Sequence, residues 1–221
     1  RYERGELERK SEPVWRQLAR LAAATWRQQA KRSLKNAGRW LYSAWAWVVM
    51  VLISIPVWSL VNILPGRSLR WQVVHWGGRL LALLTGTRLK VETTDRLRKL
   101  PEGCIIVANH SSYLDSLVLA AVIPVPVSFI AKAELMNVRG LKRFLTRMEI
   151  EPVGRADARS SVGDSNRIAE NADGRRLVFF PEGGFDAAPG LRPFHMGAFM
   201  TAAVLGEKVI PLTIKGTQHK L

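Results

Sequence analysis

Hydrophobic and polar positions follow one rule up to about residue 86 and another beyond it. Over 13–43, Arg16, Arg20, Arg27, Lys31, Lys35 and Arg39 recur at steps of four or seven and so share one helical stripe. Val14, Leu18, Leu21 and Trp26 lie largely off that stripe, which predicts a basic amphipathic helix suited to a membrane surface. Ala44 to Leu64 is then uncharged for 21 residues, the length that spans roughly 30 Å of hydrocarbon. Pro56 is expected to kink a helix there. A second amphipathic run, Leu69 to Thr85, closes on Gly86, a C-terminal capping residue.

Beyond Gly86, short apolar runs alternate with helical periodicity. The strand patterns are 88–93, 104–108, 127–131, 149–153, 176–181 and 208–214. Helical patterns occupy 113–123, 134–147, 158–172 and 194–206. Alternation of this kind predicts an α/β fold, a largely parallel sheet flanked by helices, preceded by an N-terminal membrane-associated helical segment. The expected division is 1–86, membrane anchor or half-inserted hairpin, and 87–221, the α/β domain. The chain starts at an arginine and stops just past an apolar run, so that domain is expected to be cut short at its C-terminus.

Charge narrows the choice of partner. The net charge is +15, and no acidic residue lies between Glu12 and Glu92, a gap that holds twelve Lys or Arg. All eight tryptophans fall between Trp15 and Trp76. Acid-free basic surface attracts nucleic acid or anionic lipid headgroups, while tryptophan favours the bilayer interface. A nucleic-acid binder would interleave basic and aromatic residues on a polar fold. The 21-residue apolar run argues against that, so anionic membrane lipids are the expected partner and nucleic acid is not. Basic residues flank the run on both sides, at Arg16–Arg39 and at Arg67, Arg70 and Arg79. Both flanks therefore call for the cytoplasmic side, where the α/β domain is expected. A hairpin joined at Pro65-Gly66 and a full span both remain open. The single cysteine, Cys104, excludes a disulfide framework and Cys/His zinc spacing and reads as a buried thiol.

Candidate chemistry lies in the second part. His110 follows the strand pattern 104–108 and precedes a helical pattern, at the carboxyl end of a strand, where α/β sheets place ligands. Asp115 lies five positions on. Within one helix the two would diverge by about 140°, so they meet only if Ser111-Ser112 turns the chain. Given that turn, Asp115 can orient one ring nitrogen and leave the other as a base; a loop histidine beside a helix-start aspartate is the structural alternative. Arg155 closes another strand pattern through Gly154 and presents a fork suited to phosphate. Phe180-Pro181-Glu182-Gly183-Gly184 is a turn whose amides can face an anion. Val209-Ile210-Pro211 is an apolar strand.

Taken in order, Asn109-His110-Ser111-Ser112-Tyr113-Leu114-Asp115, the strand leading to Arg155, Phe180-Pro181-Glu182-Gly183 and Val209-Ile210-Pro211 resemble the glycerolipid acyltransferases that acylate lysophosphatidic acid. Lys132-Ala133-Glu134-Leu135 matches a stretch common between the first two blocks, and the resemblance covers roughly 88–217. It implies a membrane-associated O-acyltransferase that moves a fatty acyl group from acyl-CoA or acyl carrier protein to the hydroxyl of a lysophospholipid-type acceptor. No metal or resident cofactor is implied; the thioester is a co-substrate. By resemblance His110 is the general base and Asp115 its orienter. Asn109, Arg155, Glu182 and Gly183 are implied in acceptor binding, with Lys132 in support. Gly184 and Phe185 stand where the family has Thr and then Arg or Ser, and His195 stands where lysine is common. These departures bear on the acceptor's identity, and Arg192 is expected to compensate. A catalytically inactive membrane scaffold of the same fold is the alternative.

Overall fold

The computed structural model of the protein describes residues 14–154, 158–172, 174–184 and 190–217. The chain divides into two units, Arg1–Val48 and Val49–Leu221. The first helix, α1 (Val14–Ile63), contributes to both. Within the first unit Leu18, Leu21, Trp26, Leu34 and Trp40 are exposed, as are Arg16, Lys31 and Arg39.

The second unit carries a five-stranded sheet of order β3-β2-β4-β1-β5, with every pairing parallel. Its strands are β1 (Ile105–Ala108), β2 (Ser128–Lys132), β3 (Glu151–Val153), β4 (Leu177–Phe179) and β5 (Val209–Leu212). The two central strands are unbroken apolar runs because helices cover both faces of the sheet. On one face Ile106, Ala108 and Val178 pack with residues of α2 (Arg67–Leu84) and α4 (Leu114–Val122), among them Trp71, Leu119 and Ala120. On the other, Ile105, Val107, Leu177 and Phe179 meet Ile168 and Ala172, at α6 (Ala158–Asn171), and Ala198 and Ala202 of α7 (Gly197–Leu205). The two edge strands each contain a proline, Pro152 and Pro211. A residue without an N–H is tolerated there because an edge strand has one side to pair, not two.

Residues after 48 share the core: Val61 and Trp71 are buried, and Trp71 Nε1 donates to the Ile123 carbonyl at 3.1 Å. Two expectations change. The pattern at 88–93 is not a strand; a short helix α3 (Thr94–Arg98) follows it. Val91 packs on the core without pairing to any strand of the sheet. The helix expected over 134–147 is split into a 3-10 turn, Ala133–Asn137, and α5 (Leu141–Arg147). Gly140 separates them at φ +81°, a conformation that glycine adopts without a Cβ penalty.

The turn between α1 and α2 is fastened to the α5 region by side chains from both sides. Trp58 Nε1 donates to the Gly140 carbonyl at 2.9 Å, and Arg147 donates to the carbonyls of Val61 and Leu64. Those carbonyls belong to the last turn of α1, whose acceptors lack helical partners. Glu149 pairs with Arg67 at 3.2 Å and Arg70 at 3.3 Å in the first turn of α2. Further along, two glycines let α2 approach its neighbours. A Cβ on Gly77 would lie 2.6 Å from Val57 Cγ2, and one on Gly78 3.0 Å from Ala121 Cβ.

Candidate active site

Because all five strands are parallel, their carboxyl ends share one edge, and the predicted residues collect there. β1 ends at Ala108, and Asn109 and His110 follow directly. The chain then makes the turn that the sequence demanded. Asp115 Oδ2 accepts from Ser111 N at 2.6 Å, Ser112 N at 2.9 Å and His110 Nδ1 at 3.0 Å. Ser112 Oγ in turn accepts from Leu114 N at 3.2 Å, at the first residue of α4. The two side chains therefore meet because residues 111–113 are not helical, which removes the angular mismatch a continuous helix would impose.

Asp115 is fully buried, whereas the His110 side chain is 17% exposed. Burial alone would push the Asp115 carboxyl up. The hydrogen bonds from His110, Ser111 and Ser112, with the Thr217 hydroxyl acting in the same direction, outweigh it and hold the carboxyl below its ordinary value. An ionised Asp115 fixes the proton of a neutral imidazole on Nδ1, so the acceptor lone pair lies on Nε2. Burial pushes the Cys104 thiol up, the condition of an inert structural cysteine.

The turn after β4 grips this histidine. Glu182 is buried; its Oε1 accepts from His110 N at 2.8 Å and its Oε2 from Arg192 N at 2.9 Å. Each carboxylate oxygen thus accepts from a backbone amide, and Glu182 ties the turn after β4 to the segment that carries His110. Asn109 also bonds to backbone. Its Nδ2 donates to the Ile214 carbonyl at 2.9 Å and its Oδ1 accepts from Ile214 N at 2.7 Å. This two-point clamp ties the segment after β5, with Thr217, to the end of β1. Gly183 has φ +68°, and a Cβ there would lie 2.8 Å from the ring of His195. His195 N donates to the Pro181 carbonyl at 2.8 Å, which closes the loop onto the turn.

The cations expected for the acceptor converge beside that turn. A Cβ built on Gly184 would lie 3.7 Å from Arg192 Nη1 and 3.9 Å from Lys132 Nζ. Lys132 is the last residue of β2 and pairs in register with Val153, the end of β3. Arg155 lies outside the described residues. The structure thus brings His110, Asp115, Glu182, Gly183, Lys132 and Arg192 to one edge. Sequence reasoning gave no role to two further residues there. Phe180, inside a quoted motif, stacks on the His110 ring with centroids 4.2 Å apart. Thr217 lies far along the chain and carries no local signal.

Comparisons with known proteins agree with this geometry. The family model described as Acyltransferase matches residues 88–215. A chloroplastic 1-acyl-sn-glycerol-3-phosphate acyltransferase of Brassica napus is 34% identical over 125 residues, 55% of this chain and 36% of that protein. A 1-acyl-sn-glycerol-3-phosphate acyltransferase of Neisseria gonorrhoeae is 32% identical over 127 residues, 52% of this chain and 45% of the relative. The lyso-ornithine lipid O-acyltransferase of Rhizobium meliloti is 31% identical over 188 residues, 81% of this chain and 60% of its own length. The chain therefore spans between about a third and three fifths of these relatives. The crystal structure of the 1-acyl-sn-glycerophosphate acyltransferase from Thermotoga maritima shares the fold, with a TM-score of 0.62 at 21% identity, over 81% of this chain and 75% of that one. With the family model covering more than half of its length, this chain belongs to the acyltransferase family.

Proposed function

We propose that the protein transfers a fatty acyl group from acyl-CoA or acyl carrier protein to the hydroxyl of a lysophospholipid-type acceptor such as lysophosphatidate. The observation that carries this reading is the His110–Asp115 pair, with Nδ1 held at 3.0 Å by a buried carboxylate, beside the Lys132 and Arg192 cations at Gly184. Nε2 takes the acceptor's hydroxyl proton as that oxygen attacks the thioester carbonyl carbon. The tetrahedral adduct collapses, the C–S bond breaks, and the imidazolium returns its proton to the departing thiolate. A positioned base of this kind contributes roughly 10²- to 10⁴-fold. Lys132 and Arg192, joined by Arg155, hold the acceptor's phosphate through charge-assisted hydrogen bonds.

The reading includes membrane association with the site on the cytoplasmic side. Among the described residues one helical stretch, Lys31–Ile63, is long and apolar enough to cross a membrane. In the second unit Leu52, Ile55, Ile63, Trp76, Leu80 and Leu83 of α1 and α2 are exposed. Exposed apolar side chains on a helix pair suit a half-inserted hairpin in contact with anionic lipids.

A second acceptor has its own support. The lyso-ornithine lipid relative aligns over 81% of this chain, against 55% and 52% for the two lysophosphatidate relatives. Ornithine offers a carboxylate, which the same cations can hold. Release of free CoA thiol from acyl-CoA, measured with lysophosphatidate and lyso-ornithine lipid in parallel, tests the proposal. Turnover with either acceptor supports acyl transfer and names the class. No thiol release with either donor and any lysolipid leaves an inactive scaffold.

A further inference from the structure

We infer that Phe180 is a positioning residue for His110: its ring fixes the imidazole plane and stabilises the imidazolium formed during acyl transfer. The inference rests on the proposed role of His110 as general base. The two rings stack with centroids 4.2 Å apart and planes 22° apart. The Phe129 ring lies 6.4 Å from that of Phe180 with planes 13° apart, and the Trp71 ring 6.4 Å from that of Phe129 with planes 30° apart. Trp71 is buried and its Nε1 is held by the Ile123 carbonyl, so this chain of ring contacts is anchored in the core.

The same short segment therefore holds His110 twice: Glu182 takes its backbone N–H and Phe180 supports its ring. Asp115 fixes the ring's edge, and Phe180 fixes its face. Of the charged groups nearby, Asp115 meets Nδ1 and Glu182 meets the peptide N–H. Arg192, Lys132 and His195 gather at the adjacent Gly183–Gly184 turn. When Nε2 takes the acceptor's proton, positive charge appears on a ring beside the turn where the Arg192 and Lys132 cations gather. The negative π-face of Phe180 offsets it, and that interaction is absent while the imidazole is neutral. An interaction present only once charge develops raises kcat rather than lowering KM.

The test uses the full chain in lipid vesicles with acyl-CoA and its active lysolipid. Phe180→Leu removes the π-face; replacing Phe180 by mono-, di- and trifluorophenylalanine keeps the ring and drains the face stepwise. The inference expects kcat to fall along the fluorinated series, by about two- to thirtyfold in total, with both KM values within about twofold. A flat series, whatever Phe180→Leu does, overturns the inference while leaving His110 as the base. A wild-type chain inert toward thioester removes the proposed function, and the inference with it.

Discussion

Replacing Glu182 by glutamine changes one atom and separates two accounts of this site. The carboxylate is buried and accepts from His110 N at 2.8 Å and Arg192 N at 2.9 Å. Glutamine keeps one acceptor and turns an NH₂ toward the other backbone donor. At least one charge-assisted bond is lost, about 1.5–3 kcal/mol. For a domain of this size that corresponds to a melting temperature lower by roughly 3–12 °C. The backbone under His110 shifts at the same time, and a misplacement of about 1 Å costs roughly 10²-fold in rate. Circular dichroism melting and steady-state kinetics at saturating acceptor are the assays. A variant with wild-type melting and wild-type kcat, altered only in acceptor KM, would refute the clamp and support a direct binding role for Glu182.

Asn109→Ala removes both hydrogen bonds to Ile214, so stability should fall by about 1–3 kcal/mol in denaturant melts, and kcat should fall more than either KM because the segment bearing Thr217 loosens. Asp115 is held below its ordinary carboxyl value, so its stabilisation is present above the unfolded value of about 3.9 and is lost as pH falls through the lower folded value. The melting-temperature gap between wild type and Asp115→Asn should therefore close on acidification; a gap constant from neutral pH to the acid limit of folding contradicts the ionised orienter. Arg155→Ala should raise the acceptor KM roughly ten- to a hundredfold and spare the thioester KM; the reverse pattern would assign Arg155 to the acyl donor.

Strand positions after residue 100 were legible because a parallel sheet covered on both faces writes itself as short apolar runs, as at Ile105–Ala108 and Leu177–Phe179. The segment 88–93 alternates apolar and polar residues as a half-buried strand would, yet it does not pair. The His110–Asp115 contact was legible as a requirement for a turn at Ser111-Ser112, and that turn forms. The duties of Asn109 and Glu182 were not legible. Each is decided by a partner far along the chain, Ile214 for one and both His110 and Arg192 for the other. The apolar run ending near Leu64 carries a membrane pattern, but Val61 and Trp71 also serve the core of the α/β unit.

The central claim, acyl transfer with His110 as the base, is tested most directly by thiol release from acyl-CoA in the presence of lysophosphatidate or lyso-ornithine lipid, wild type against His110→Ala. The His110 ring sits on a turn at the sheet edge and its side chain is 17% exposed, so the variant should stay folded by circular dichroism. The account predicts acceptor-dependent thiol release by the wild type and a loss of at least about 10²-fold in the folded variant. Turnover by His110→Ala above a tenth of the wild-type rate would contradict it.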